Sequence, residues 1–538
     1  MFSRNARPAI LSTLLALALY AVTLGGTYVY DDRYIVLADP RVGDVARWDE
    51  FWTKDYFNGG ADNLYRPLVS MTYALQTWLH GRGNDRAWAF HLLNWLLHAG
   101  VSATVAELAR RVTRRASIAL IAGLLFAAHS IHVEAVANIV GRAELMCALG
   151  MVGAMILFMR PLTIGRALAI WGLLLLALLS KEQGMFLPLL LLALLPLRRD
   201  AAVTAVGTDS ARPPEMLSSV RPGARWSDRF GKPALRLTML VVYTLAAYVY
   251  LRENTLGLKF WWERGFLDAT INPMIESAGL DRWLMPLALF GRYVVMLIAP
   301  LRLLPDYGGD VIGSRVNFAD PYFYCGIVFA LAWVAATVIS IRRRARATTF
   351  CLLGFALVYG MISNLPTLIG VNFAERLMYI PSAFACILAA IGIMKLPRPA
   401  AIGVASLVIV LFAARTFTYA QRWNHPRELF TVGIQQEPRA IHLYFLLAEE
   451  MERAGEMRQA QALLARARDV MPRYYKVWLR SAYMALEAGE HDDALAFAGR
   501  AHYLKPTMES SQLTQRIRER KQATTRAILS STAPATRR

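Results

Sequence analysis

Residues 116–159 read ASIALIAGLLFAAHSIHVEAVANIVGRAELMCALGMVGAMILFM. Two apolar runs, at about 116–129 and 143–159, flank a polar stretch that holds His129, His132, Glu134, Asn138, Arg142 and Glu144. Apolar runs of this length span or nearly span a bilayer. Ionisable groups at that depth are costly unless paired or functional. The stretch reads as two membrane helices joined by a polar turn on one side.

The rest of the chain repeats the pattern. Of 538 residues 56% are hydrophobic and 18% charged, and the mean hydropathy is +0.34. Soluble globules carry about 25% charged residues. A soluble enzyme, a disordered tail protein and a secreted disulfide scaffold are excluded as whole-chain readings. Cys147, Cys325, Cys351 and Cys386 lie in apolar segments without a C-x-x-C pair and read as buried thiols. The net charge of +20 collects between apolar runs, at Arg110, Arg111, Arg114 and Arg115 and again at Arg342, Arg343, Arg344 and Arg346. Positive charge on cytoplasmic loops accounts for this without a nucleic-acid partner. With 51 Arg to 8 Lys, the composition suggests a GC-rich bacterial genome.

Arg4 and Arg7 precede an apolar run from Ala9 to Val29, expected to be an uncleaved first span with its N-terminus inside. Residues 31–87 then form an outer polar loop with nine acidic and seven basic residues. Its aromatics Trp48, Phe51, Trp52, Tyr56 and Phe57 suit a short interfacial helix. Further spans are expected at about 88–109, 116–129, 143–159, 167–180, 184–197, 237–251, 321–341, 348–363, 376–394 and 399–414, giving about eleven. A cytoplasmic linker at 198–236 and a re-entrant or in-plane segment at 283–301 complete an all-α, polytopic membrane domain over 1–414. Beyond it, Pro438, Pro472 and Pro506 recur at 34 residues, as do Gly455 and Gly489, Ala460 and Ala494, and Ala467 and Ala501. That is the period of tetratricopeptide helix pairs. Residues 415–522 are expected to be such a helical domain on the outer face, and 523–538 a disordered tail.

Polar residues gather at predicted outer span ends. Asp31 and Asp32 follow the first span, where a carboxylate can take a proton from a hydroxyl or hold a cation. A solvated helix flank is the bland alternative. Arg66 offers a planar fork to phosphate or a partner to a loop aspartate. His91, Asn94 and His98 share one helix face, which suits a wet cavity or structural hydrogen bonds. His132, Glu134 and Arg142 belong to the central polar turn, Lys181 and Glu182 to Ser180–Gly184, and Glu375 and Arg376 to a third group. Lys181–Glu182 and Glu375–Arg376 can also be plain ion pairs. No H-E-x-x-H, P-loop or G-x-S-x-G is present in its structural context, and no metal ligand set is predicted.

In this order, Tyr30-Asp31-Asp32, Tyr65-Arg66-Pro67-Leu68, His91-x-x-Asn94-x-x-x-His98, His129-x-x-His132-x-Glu134 with Gly141-Arg142-Ala-Glu144, Ser180-Lys181-Glu182-Gln183-Gly184 and Ala374-Glu375-Arg376-Leu-Met-Tyr379 resemble the transmembrane and tetratricopeptide-repeat O-mannosyltransferases. The resemblance covers nearly the whole chain. It implies a GT-C glycosyltransferase bundle that takes a sugar from a polyprenyl-phosphate carrier on the outer face. Transfer, with inversion, would go to Ser or Thr hydroxyls. Asp31 or Asp32 would be the base. Arg66, Arg142, Lys181 and Arg376 would be candidate cations for the lipid phosphate, with His132 a further donor. The acidic pair leaves a divalent metal open. The repeats would bind the acceptor protein, and a bacterial member would sit in the inner membrane with its C-terminal domain outside. The repeat domain is shorter than the long arrays of many relatives. A GT-C enzyme acting on an envelope lipid or glycan, a non-enzymatic membrane-anchored repeat scaffold and a transporter are the competing readings.

Overall fold

A computed structural model describes residues 5–58, 64–207, 226–257, 269, 271–309 and 311–532. The described residues form helices and turns without a strand. The chain divides into two compact units. The first is Met1–Leu267, Met274–Leu303 and Ser314–His425, and the second is Asp268–Pro273, Leu304–Gly313 and Pro426–Arg538.

Unit one begins with α1 (Arg7–Tyr20), α2 (Pro40–Gly43), α3 (Glu50–Thr53), α4 (Pro67–His80), α5 (Ala87–Thr113), α6 (Ala116–Ala128), α7 (Val133–Ala137) and α8 (Arg142–Phe158). It continues with α9 (Ile164–Leu178), α10 (Leu187–Gly207), α11 (Trp226–Leu256), α12 (Asp281–Ile298), α13 (Pro321–Arg342), α14 (Arg346–Ile362), α15 (Tyr379–Ile393) and α16 (Arg398–Trp423). Among the described residues seven segments are long and apolar enough to cross a membrane, or eight if the bent pair α6 and Ser130–Ala137 is one span. Unit one is thus an all-helical, multi-pass membrane body. The count differs from the expected eleven. Helices α9 and α14 have 15 and 17 residues. Helix α10 carries Arg198, Arg199 and Asp200 in its later half. The run expected to lie in-plane at 283–301 is helix α12, which packs on α13.

Three expected boundaries shift. The outer loop 31–87 holds the 14-residue helix α4, whose Pro67 occupies its first turn, where a missing N–H is harmless. The linker expected at 198–236 is helical at 198–207 and 226–236, and its centre lies outside the described residues. The membrane body does not end at 414, because α16 runs unbroken to Trp423 and Pro426 starts the next helix.

The first and last spans are stapled into the bundle by polar side chains. The Thr416 hydroxyl of α16 donates to the Ala128 carbonyl at 2.7 Å, and the Asn424 amide donates to the Val22 carbonyl at 2.8 Å. Gly26 allows this approach, since a Cβ there would lie 2.8 Å from His91 Nε2 and 3.1 Å from Asn424 Oδ1. Helices α12 and α13 cross at Gly291 and Gly326, where a Cβ on Gly291 would sit 2.7 Å from the Gly326 nitrogen. Small residues let membrane helices touch backbone to backbone.

Unit two holds α17 (Pro426–Gln436), α18 (Ile441–Arg453), α19 (Met457–Val470), α20 (Tyr475–Glu487), α21 (His491–Leu504) and α22 (Met508–Thr532). Gly455 and Gly489 adopt φ of 78° and 81° in the turns inside successive hairpins. That conformation suits glycine at a helix end. Ala460, Ala467, Ala494 and Ala501 are buried and let the paired helices close. Helix α22 extends through 523–532, where disorder was expected, because no proline or glycine interrupts it before Pro534. Residues 533–538 lie outside the described residues.

Gly291→Leu should destabilise unit one by about 1–3 kcal/mol through overpacking. Gly403→Ala, with open space around its Cβ, should be neutral or stabilising by about 0.5 kcal/mol. Thermal unfolding of both variants in one detergent checks the contrast.

Candidate functional site

Helix α1 ends in a short 3-10 turn, Ala21–Gly25, and the chain then extends to Tyr30, whose φ of 56° is left-handed. A non-glycine residue there costs roughly 1–2 kcal/mol. The turn gives the next two aspartates different surroundings. Asp32 is 0% exposed. Its Oδ2 accepts from the N–H groups of Val29 and Ile139, both at 3.2 Å, and its Oδ1 accepts from Val140 N–H at 2.9 Å. Asp31 is half-buried, within electrostatic reach of Asp32, Tyr56 and Arg376. Burial pushes the Asp32 carboxyl up to about 7, while its three backbone donors pull it down.

Asp32 grips the central polar turn. Every residue from Leu125 to Ala148 is buried. Helix α6 gives way at His129, whose Nδ1 accepts from the Ile131 N–H at 3.3 Å, and the bend is 49°. After α7 the backbone extends again at Asn138. The Asn94 amide donates to the carbonyls of Asn138 and Ile139 at 3.1 Å. Tyr73 donates to the Ile139 carbonyl at 3.2 Å. Arg142, also 0% exposed, donates to Asn94 Oδ1, Thr72 Oγ1 and the Phe90 carbonyl at 3.0, 2.9 and 3.0 Å. It lies over the Tyr73 ring at 4.5 Å. Arg142 is thus part of the framework beneath the site.

The other charged candidates pair across motifs. Lys181 pairs with Glu144, and Arg376 with Glu134. The Arg376 backbone N–H also donates to Glu134, at 2.8 Å. Arg66 Nη2 donates to Glu182 at 3.3 Å. Side-chain exposure ranks the cations: 18% for Arg376, 14% for Arg66 and 5% for Lys181. Burial lowers Lys181 more than Glu144 restores it. Burial also works against Arg66, but Glu182 and then Glu144 outweigh it and hold the guanidinium above its ordinary value. Burial would raise Glu182, yet Arg66 and then Arg252 keep it below the usual carboxylate range.

The histidines are hydrogen-bonded within the bundle. His91 Nε2 donates to the Thr27 carbonyl at 3.2 Å. His98 Nδ1 is 2.8 Å from the Tyr379 hydroxyl. His132 donates from Nδ1 to the Phe126 carbonyl at 2.9 Å and meets the Ser382 hydroxyl through Nε2 at 2.7 Å. Both His132 nitrogens are therefore occupied. The Tyr419 hydroxyl approaches Glu375 Oε1 at 3.5 Å. Among the described residues no three His, Cys, Asp or Glu side chains converge as metal ligands. The structure thus gathers Asp31, Arg66, Glu134, Lys181, Glu182 and Arg376 with the framework of Asp32, Asn94 and Arg142. Sequence reasoning passed over Thr72, Tyr73 and Arg252. An arginine on an apolar helix was the available signal for Arg252.

No family model matches the chain. It is, however, similar to curated proteins. Protein O-mannosyl-transferase Tmtc2 of Drosophila melanogaster is 42% identical over 136 residues, 24% of this chain and 14% of that protein. Protein O-mannosyl-transferase F38B6.6 of Caenorhabditis elegans is 24% identical over 473 residues, 85% of this chain and 62% of that protein. Protein O-mannosyl-transferase TMTC1 of Homo sapiens is 26% identical over 520 residues, 87% of this chain and 56% of that protein. All three are named for sugar transfer. The chain spans less than two thirds of the length of each.

The upward shift of Asp32 has a definite sign. The folded state holds its proton more tightly than the unfolded chain, so this stabilisation is complete below the ordinary carboxylate value. It is lost as pH rises toward about 7. Tm against pH for wild type minus Asp32→Asn should therefore fall across that interval. A flat or rising difference would contradict the burial argument.

Proposed function

We propose that the chain is a membrane-embedded glycosyltransferase, akin to the protein O-mannosyl-transferases it is similar to, that moves a sugar from a polyprenyl phosphate to a protein hydroxyl. The observation that supports this best is the half-buried Asp31 within electrostatic reach of the partly exposed Arg376, over a turn that Asp32 and Arg142 hold in place. A base and a fixed cation within reach of one another are what transfer from a lipid phosphate requires.

Asp31 accepts the proton of a Ser or Thr hydroxyl as that oxygen forms a bond to the sugar C1. The bond from C1 to the phosphate oxygen breaks, and its electron pair leaves with the phosphate. Attack opposite the leaving group inverts C1. Arg376, with Arg66 and Lys181 behind it, counters the charge growing on the phosphate. Asp32 is a positioning residue, since its carboxylate is enclosed by backbone donors. The histidines serve the framework. The site faces the outside of a bacterial inner membrane, opposite the arginine-rich helix ends, and the helical hairpins of unit two bind the acceptor chain.

Purified protein in lipid, offered radiolabelled polyprenyl-phosphate-mannose and Ser/Thr peptides, tests this. Asp31→Asn should lower kcat by about 10²–10⁴, the contribution of a general base. Arg376→Gln should lower it roughly 10²-fold, the scale of losing one charge-stabilising donor. Full activity in Asp31→Asn would remove it as the base. Label appearing on an envelope glycan, with peptides left unmodified, would favour the other acceptor class.

A further inference from the structure

The opposite ends of the same helices form a second polar region. Asn94 and Arg111 lie on α5, 17 positions apart, which at the helical rise is about 25 Å. Where α5 ends, an open pocket of about 360 Å3 is lined by Arg111, Arg114, Leu197, Arg346, Thr348 and Ile391, among others. Five helices and the connections before α6 and α14 contribute to it.

Its charge is one-sided. Arg110 holds Glu107 with two hydrogen bonds, 2.7 and 2.8 Å, and Arg111 adds a third from Nε at 2.6 Å. One carboxylate thus serves two guanidiniums, and a positive charge is left over. The terminal nitrogens of Arg111 make no hydrogen bond among the described residues. Arg160 adds another cation within electrostatic reach of Arg111. Arg346 donates from Nη1 to the Pro196 carbonyl at 3.3 Å, which anchors its side chain at the rim. Leu197 and Ile391 give the pocket an apolar wall. Forked cations suit phosphate oxygens, and an apolar wall beside them at helix ends suits the start of an acyl chain.

We propose that this pocket holds the phosphate of an anionic phospholipid from the leaflet that the arginine bias assigns to the cytoplasm. The bound headgroup ties the α5–α6 corner to the start of α14 and the middle of α10. This lipid site is separate from the donor site and does not depend on the reaction assigned there.

The test uses the full chain in detergent, titrated with phosphatidylglycerol, phosphatidylcholine or inorganic phosphate. Native mass spectrometry reads retained lipid and Tm reads stabilisation. Wild type should retain phosphatidylglycerol and not phosphatidylcholine. Arg111→Gln with Arg346→Gln should weaken that retention roughly thirtyfold, about fivefold for each arginine. Arg398→Gln, at the same end of the bundle but outside the pocket, should leave it unchanged. Equal retention of the two lipids by wild type overturns the proposal, and so does undiminished phosphatidylglycerol retention in the double variant. A Tm rise with inorganic phosphate that equals the lipid's, and that the double variant loses, assigns the pocket to a soluble phosphate instead. If the double variant does not fold, the two single variants and the wild-type lipid comparison decide the same question.

Discussion

A turn sealed inside a helix bundle leaves backbone N–H and carbonyl groups where no water can take them. Unit one contains such a turn between Asn138 and Gly141, buried throughout, and the bundle is arranged to satisfy it. Asn94 takes up the carbonyls, Tyr73 joins it at Ile139, and Asp32 receives the N–H groups of Ile139 and Val140. Arg142 then fixes Asn94 itself. Three sequence-distant segments are tied to one turn. Each tie is a hydrogen bond whose loss would leave a buried group unpaired, at a cost of about 1–3 kcal/mol.

Under the proposed function, rigidity at this point has a chemical use. Electrostatic stabilisation works when dipoles and charges are held in place before the reaction. The three ion pairs Lys181–Glu144, Arg66–Glu182 and Arg376–Glu134 give each cation a carboxylate partner in a poorly solvated setting. They also grade the cations by access, with Arg376 at the surface of the cluster and Arg142 sealed below it.

Much of this was legible in the sequence, and the limits are instructive. The polar groups stood out because ionisable residues beside apolar runs are rare. Their convergence at one end of the bundle follows from alternating helix direction alone. The 34-residue spacing led to the hairpins, since glycine at the turns and alanine at the contacts are local requirements. Partner choice was not legible. Lys181 and Glu182 are adjacent in the chain, yet they bond to Glu144 and Arg66 instead, because neighbouring residues at the start of a turn point in different directions. The distinct roles of Asp31 and Asp32 were hidden for the same reason. The left-handed Tyr30 sets the turn on which both sit, and no composition signal marks that conformation.

The pairing of Glu134 with Arg376 joins residues 242 positions apart. Synthesis proceeds from the N-terminus, so Glu134 enters the membrane long before its cation has been made. A carboxylate in that position is strongly disfavoured without its partner. The charge balance of the early spans is therefore complete only once the turn before α15 has been made.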